Sequence, residues 1–235
     1  MLFSDKIGKI LKNSLPAPFT IAVILTFLTI LIAFFISTDS YNSKNFFEIL
    51  SFWEKGLWDN SLMVFALQMM LMLVLGHSLA LSELVSKIIS NITIYCNNTA
   101  NAAAIVTFTT LLVAFFNWGL GLIFGAIFAR KVGEHATKNN IPLNYPLVGA
   151  AGYSGLMIWH GGISGSAPIK IAEQGHFLAE KIGTVSQAET IFSTMNITIS
   201  ISLLLLLPLF MFFFSKKTKS ELINIIVIEK IKKIN

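Results

Sequence analysis

Long apolar runs separated by short polar segments set the pattern of this chain. Uninterrupted runs cover residues 19–36, 61–81 and 191–214, and two more apolar stretches, 102–129 and 143–159, are broken by polar residues and glycines. A run of about 18 or more apolar residues is long enough to cross a bilayer as an α-helix. The pattern therefore predicts an all-α polytopic membrane protein with about four spanning helices, one of them broken.

The run at 102–129 does not behave like the others, because Asn117, Trp118, Gly119 and Gly121 interrupt it near its centre. Two interpretations fit these residues. One is a single long tilted helix, and the other is a re-entrant hairpin whose two short arms meet at 117–119. The two differ in the side of the membrane on which the following residues lie, so the distribution of Lys and Arg discriminates between them.

The basic residues favour the hairpin, because cytoplasmic loops carry an excess of Lys and Arg. With a single span, the basic residues before the carboxyl-terminal tail divide into six inside and eight outside. With a hairpin, four lie outside and ten lie inside, namely Lys6, Lys9, Lys12, Lys87, Arg130, Lys131, Lys138, Lys216, Lys217 and Lys219. We therefore predict a hairpin at about 102–129 and place both termini in the cytoplasm.

A second interruption lies at about 143–168, where an apolar segment with three glycines ends in a run rich in Gly and Ser. Ten of the fifteen glycines fall between residues 117 and 165. Backbone that leaves a helix in lipid must find polar partners in protein or water, because unpaired amides there are costly. Unwound backbone therefore marks a binding site, in which helix amino ends favour an anion and carbonyls favour a cation. Close helix packing is the alternative role for these glycines.

The chain is expected to have three parts. Residues 1–16 form a basic amphipathic stretch on the membrane surface, 17–219 form the membrane domain, and 220–235 form a basic cytoplasmic tail. The first apolar run is too long for the core of a signal peptide, so we expect it to remain as a span.

Three polar segments connect the predicted spans. Residues 37–60 are polar and mildly acidic, with Trp53 and Trp58 as interface anchors. Residues 82–98 predict a short interfacial helix. Residues 169–189 predict a polar external loop.

The composition supports a membrane location. Apolar residues make up 54% of the 235 positions and charged residues only 12%, about half the share of a typical soluble domain. The net charge of +5 comes from cations at the edges of the apolar runs, where they meet lipid headgroups rather than nucleic acid. Cys96 is the single cysteine, which excludes a disulfide framework and a thiolate metal site.

Polar side chains inside the predicted spans are few, and none is Asp, Glu, Lys or Arg. A small anion would therefore be held by backbone dipoles, amides and hydroxyls. The candidate substrate-binding residues are Asn117, Gly119, Gly161, Ser164 and Ser166, and the candidate coupling or gating residues are His77, His160 and Gln68. His77 also fits a histidine that is hydrogen-bonded between packed helices. We expect no metal site and no cofactor other than a coupling ion, Na⁺ or a proton.

The residues Gly162-Ile-Ser-Gly165 also have the Gly-x-Ser-Gly form of intramembrane serine proteases. A nucleophilic serine needs a base within hydrogen-bond reach, which in those enzymes comes from a later membrane helix. The histidine that follows Ser164 is His176, in the predicted external loop. The sequence therefore favours a protein that is not an enzyme.

Several motifs together resemble the bacterial short-chain fatty acid transporter family, which belongs to the ion-transporter superfamily. They are Leu15-Pro-Ala-Pro-Phe19, Trp58-Asp-Asn60, Gln68-Met-Met70, Gly76-His-Ser-Leu-Ala80, Asn117-Trp-Gly-Leu-Gly-Leu-Ile-Phe-Gly-Ala-Ile-Phe-Ala-Arg130 and Gly162-Ile-Ser-Gly-Ser-Ala-Pro168. The resemblance runs from about Leu11 to Phe214, and the run from Asn117 to Arg130 is its most specific part.

The resemblance implies a fold of two inverted repeats, each with a re-entrant hairpin and a broken helix that form half of a midplane site. The residues here correspond to the N-terminal repeat. The implied function is transport of small monocarboxylates, such as acetoacetate or butyrate, across the bacterial cytoplasmic (inner) membrane, driven by an ion gradient. The implied partner is a second repeat, a separate C-terminal half or another copy in an oligomer. The alternatives are a non-transporting membrane subunit or truncated remnant and, less favoured, the protease.

Overall fold

The computed structural model describes residues 16–36, 43–176 and 178–225, and within these ranges the chain is helical and contains no β-strand. It divides into two compact units, residues 1–68 and 69–235. The predicted all-α polytopic architecture is confirmed. Apart from Pro16, the predicted amphipathic stretch at 1–16 lies outside the described residues.

The first unit contains helices α1 (Pro18–Ile36) and α2 (Ser43–Leu57) and the beginning of α3 (Asn60–Ala80). None of the residues of α1 is buried, as suits a helix whose neighbours are lipid. Helix α2 was not predicted, because the polar composition of 37–60 hides a helical period in which Phe46, Ile49 and Trp53 share one face. That face packs against α1, where the rings of Phe46 and Phe34 lie 6.4 Å apart.

The second unit holds the end of α3 and all later helices. These are α4 (Glu83–Thr93), α5 (Thr99–Phe116), α6 (Trp118–Lys138), α7 (Tyr145–Tyr153), α8 (Ser166–Ala172), α9 (Ala179–Ile182), α10 (Gln187–Ile191) and α11 (Thr194–Ser215). Two 3₁₀ turns, Ser154–Met157 and Trp159–Gly161, lie between α7 and α8. Helix α4 lies in the segment 82–98, where a short helix was predicted, and its amino end is capped by the side chain of Ser82.

Four helices in the described part of the chain are long and apolar enough to cross a bilayer: α1, α3, α5 and α11. The number of candidate spans agrees with the four predicted, but one of the four helices is not the one expected. The first arm of the hairpin, α5, qualifies by itself, whereas the broken segment at 143–168 contains no α-helix longer than the nine residues of α7.

Helices α5 and α6 form a helical hairpin at the predicted position, and its re-entrant course in the membrane stays a prediction. The arms are antiparallel, since Gly121 lies beside Ala114 and, further from the tip, Gly125 lies beside Thr110. The arms contain 18 and 21 residues, which corresponds to about 27 and 32 Å, so they are longer than the two short arms expected. Two antiparallel arms return the chain to the side of the membrane on which the hairpin began. The predicted location of the residues after the hairpin therefore does not depend on the length of the arms.

The broken segment packs against this hairpin with its backbone in direct contact. A Cβ on Gly152 would lie 2.6 Å from the carbonyl oxygen of Gly125, and a Cβ on Gly155 would lie 3.0 Å from the side chains of Thr110 and Ala114. Glycines at these positions let backbone approach backbone. The surrounding apolar core is drawn from α4 to α7 and includes Ile89, Val106, Phe128 and Val148.

The last helix and the residues after it close the second unit. Helix α11 packs along α5, where Leu204 and Leu207 contact a buried cluster around Leu111. Beyond α11 the chain folds back: Leu143 and Glu221 form an isolated antiparallel bridge, and the hydroxyls of Thr99 and Ser220 lie 2.8 Å apart. The predicted tail at 220–235 is thus attached to the helices through residue 225, and 226–235 lie outside the described residues.

Candidate functional site

Asn117 forms the tip of the hairpin. Its extended backbone ends α5, and its side-chain oxygen caps α6 by accepting a hydrogen bond from the N–H of Leu120 at 2.8 Å. The tip was predicted at 117–119. In the structure only Asn117 lies between the two helices, because α6 begins at Trp118. Gly119 is buried in the first turn of α6, where an added Cβ would lie 3.3 Å from the carbonyl oxygen of Met72 in α3.

The break between α7 and α8 lies beside this tip. The N–H of Trp118 donates to the hydroxyl oxygen of Ser164 at 2.9 Å, and the N–H of Ile163 donates to the carbonyl of Phe115 at 2.7 Å. A Cβ on Gly162 would lie 2.5 Å from that same carbonyl oxygen. We call this contact between residues 115–118 and 162–164 the tip–break junction. It brings together two of the predicted site residues, Asn117 and Ser164, from segments 46 residues apart.

Gly161 is held from the other side of the break, by the last long helix. Its carbonyl accepts a hydrogen bond from the side-chain amide of Asn196 at 2.8 Å. The same amide also donates to the carbonyl of Ile191 at 2.7 Å. Asn196 was not among the predicted residues, although it is one of the few polar side chains in the apolar run 191–214.

Two other predicted residues lie at the edges of the break. Ser166 is the first residue of α8 and is half-buried. His160 is exposed, and its ring packs edge-on against Trp159 at 4.9 Å between centroids. Trp159 in turn contacts Trp118 at 4.8 Å, so the indole rings of the break and the tip touch. The sequence analysis assigned no role to these two tryptophans.

The predicted residues on α3 are not part of the tip–break junction. Gly76 packs against the hairpin next to the tip, where an added Cβ would lie 2.9 Å from the backbone nitrogen of Leu120. The neighbouring His77 is exposed, and so is Gln68, which belongs to the first unit. In the described residues no group of three or more His, Cys, Asp or Glu side chains could hold a metal ion.

The chemistry of the junction is that of neutral hydrogen-bond donors. Asn117 and Ser164 each use an oxygen to accept a backbone N–H, so the amide hydrogens of Asn117 and the hydroxyl hydrogen of Ser164 can serve another acceptor. The partner that the structure gives the Ser164 oxygen is a backbone N–H rather than a base, which does not fit an activated nucleophile. The arrangement suits the binding of a small anion.

The fold and the junction define a polytopic α-helical membrane protein with a helical hairpin packed on a broken helix. The family model described as short chain fatty acid transporter matches residues 2–233. The chain therefore belongs to the short-chain fatty acid transporter family, and the predicted resemblance is confirmed.

Two curated relatives carry names that make them candidate short-chain fatty acid transporters. The one from Escherichia coli K12 is 34% identical over 185 residues, which cover 79% of this chain and 40% of the relative. The one from Haemophilus influenzae Rd is 34% identical over 192 residues, with the same coverage of each chain. The chain thus spans about 40% of the length of these relatives. No solved structure matches it.

Proposed function

We propose that this chain supplies one half of a carrier for short-chain fatty acids and other small monocarboxylates, and that it is not an enzyme. The observation that carries the proposal is the tip–break junction, in which a hairpin tip and a broken helix meet through neutral donors. A carboxylate is an acceptor that such donors can bind and also release, because no fixed positive charge holds it. Family membership supports the same class of substrate.

In the proposed site the carboxylate accepts hydrogen bonds from the Asn117 amide and the Ser164 hydroxyl. Gly119, Gly161 and Ser166 lie in or next to these two segments and complete the proposed substrate-binding set. Na⁺ or a proton is the proposed coupling ion. Gln68, His77 and His160 are kept as proposed coupling or gating residues, and their exposure suits a contact with another part of the carrier better than a contact with the junction.

The proposed location is the bacterial cytoplasmic membrane with both termini inside. A cysteine introduced at Lys138, at the end of α6, should therefore react with an impermeant maleimide only after the cells are opened. A cysteine at Thr184, in the loop before α10, should react in intact cells. Both positions are exposed.

The unmodified chain is the control for this labelling experiment. Burial raises the pKa of the Cys96 thiol to about 12, so it stays protonated at neutral pH and should react slowly. Labelling of both introduced cysteines in intact cells would contradict the proposed sidedness.

Uptake tests the proposed function, with Asn117 as the probe of the site. The chain is co-expressed with the second half of a family member in cells that lack their own short-chain carriers. We expect saturable uptake of labelled butyrate that excess propionate inhibits and butyramide does not. Asn117→Ala should reduce uptake to the level of cells with an empty vector, because it removes the amide donors.

Asn117→Ala also removes a helix cap, which costs about 1 kcal/mol of stability, so a second variant is needed. Asn117→Ser keeps an oxygen that can cap α6, but it replaces the two amide N–H donors by one hydroxyl on a shorter side chain, so its uptake should fall well below normal. Normal uptake by the serine variant would reduce Asn117 to a capping residue. Absence of butyrate uptake by the unmodified pair would contradict the proposed function and favour a non-transporting subunit.

A further inference from the structure

Two indole N–H groups, one in the tip–break junction and one beside it, are buried without an acceptor among the described residues. The Nε1 atoms of Trp118 and Trp159 have no hydrogen-bond partner among the described residues. Their rings touch edge to face, with centroids 4.8 Å apart and an angle of 68° between the planes. Because the great majority of buried polar groups in proteins are paired, two such donors in contact with each other require an explanation.

The chemistry of the indole narrows what the missing acceptor can be. An indole N–H only donates, whereas the buried hydroxyls of Thr107 and Thr110, which also lack a described partner, can accept as well as donate. A carboxylate only accepts, and its two oxygens can take hydrogen bonds from both indoles at once. The apolar faces of the rings also suit a short alkyl chain.

The position of the two indoles ties them to the proposed site. Trp118 follows the tip residue Asn117, and its own backbone N–H is the donor to Ser164. Trp159 begins the 3₁₀ turn that ends at Gly161, directly before Gly162. One side chain therefore comes from the hairpin tip and the other from the break.

We propose that the indole N–H groups of Trp118 and Trp159 are carboxylate donors that set the preference of this site for small monocarboxylates. The inference rests on the proposed function and adds two binding residues to it. Since both nitrogens are covered, a carboxylate reaches them only when the 3₁₀ turn that carries Trp159 moves relative to the hairpin. The reverse movement would then cover the bound substrate.

The test replaces each indole by a ring of the same shape without the N–H. Benzothienylalanine, incorporated at position 118 or 159, keeps the two fused rings and substitutes sulfur for the nitrogen. In the co-expressed pair, each replacement should raise the butyrate concentration for half-maximal uptake about ten- to a hundredfold, the usual effect of losing one hydrogen bond to a charged group. The melting temperature of the purified protein without substrate should not fall, because no described hydrogen bond is removed.

Trp53→Phe and Trp58→Phe are the matched controls, since both tryptophans are exposed and lie in the first unit. They should leave half-maximal uptake unchanged. If the unmodified pair transports butyrate and both benzothienylalanine proteins do so with unchanged half-maximal concentrations, the indole proposal is wrong and the proposed function stands. A lowered melting temperature with unchanged half-maximal uptake would assign the N–H groups to a structural acceptor and would also overturn it. A pair that transports no butyrate at all would overturn both.

Discussion

Gly162→Ala should abolish butyrate uptake by the co-expressed pair. The added Cβ would lie 2.5 Å from the carbonyl oxygen of Phe115 and 3.1 Å from its carbonyl carbon and Cα. These are backbone atoms of α5, which cannot turn aside as a flexible side chain does. The break must therefore move away from the hairpin, and the hydrogen bonds from Ile163 to Phe115 and from Trp118 to Ser164 are lost or lengthened.

Gly149→Ala is the matched control, because it is the same substitution on α7 of the same broken segment. No atom lies within 4 Å of a Cβ at Gly149, so uptake should stay normal. Alanine is also favoured over glycine inside a helix, by about 1 kcal/mol. The Gly162 variant should lose about 1–3 kcal/mol of stability, as overpacked sites do, which a thermal melt in detergent would detect. Uptake above half of normal for Gly162→Ala would show that the contact between tip and break is not needed for transport.

The sequence was sufficient to find the tip and the break, because each is a local violation of an otherwise apolar pattern. Asn117 and the Gly-Ser run after Trp159 stand out in lipid-facing sequence, where a polar or helix-breaking residue needs a reason. The sequence was not sufficient to predict that the tip and the break contact each other. The hydrogen bond from Trp118 to Ser164 joins residues 46 positions apart, and the bond from Asn196 to Gly161 joins residues 35 apart. No periodicity within one segment encodes such contacts.

Two further differences have a similar physical origin. Helix α2 was missed because a charged and polar average conceals the spacing of Phe46, Ile49 and Trp53. The hairpin arms were predicted too short, since Thr99 and Ala100 before the apolar run, and Arg130 to Lys138 after it, continue the helices beyond the apolar limits. Apolar content marks where a helix can meet lipid, whereas hydrogen bonding and capping decide where it ends.

The close packing of the broken segment on the hairpin has a mechanical consequence. Gly125 and Gly152 let the two backbones touch, and Thr110 fits against Gly155. Interfaces packed this closely do not slide by small amounts, because a shift of a fraction of an ångström creates overlaps or voids. The hairpin, α7 and the first 3₁₀ turn are therefore expected to move as one body, and the second turn, with Trp159 and the exposed His160, is where local movement is possible.

The chain expressed alone should not transport butyrate above background, whereas co-expression with a second half should give saturable uptake. The described residues contain one hairpin tip and one break, and these already contact each other in the second unit. Alternating access needs a second body that moves against the first and completes the site. Without that second body, nothing would cover the donors of Asn117 and Ser164, and nothing would move against them to expose the site to the two sides of the membrane in turn.

A crosslink tests whether that second body covers the break. Ile163 is an exposed member of the tip–break junction, and a cysteine there, in a Cys96→Ser chain, is labelled with a benzophenone maleimide, which should crosslink to the co-expressed half on irradiation. A cysteine at Leu25 of α1, which is more exposed than Ile163 and lies in the first unit, is the comparison and should nevertheless crosslink less. The crosslink at Ile163 should also stop uptake, since it would hold the two bodies together. Saturable butyrate uptake by the chain alone, with no crosslinked partner at Ile163, would show that this chain forms a complete carrier by itself.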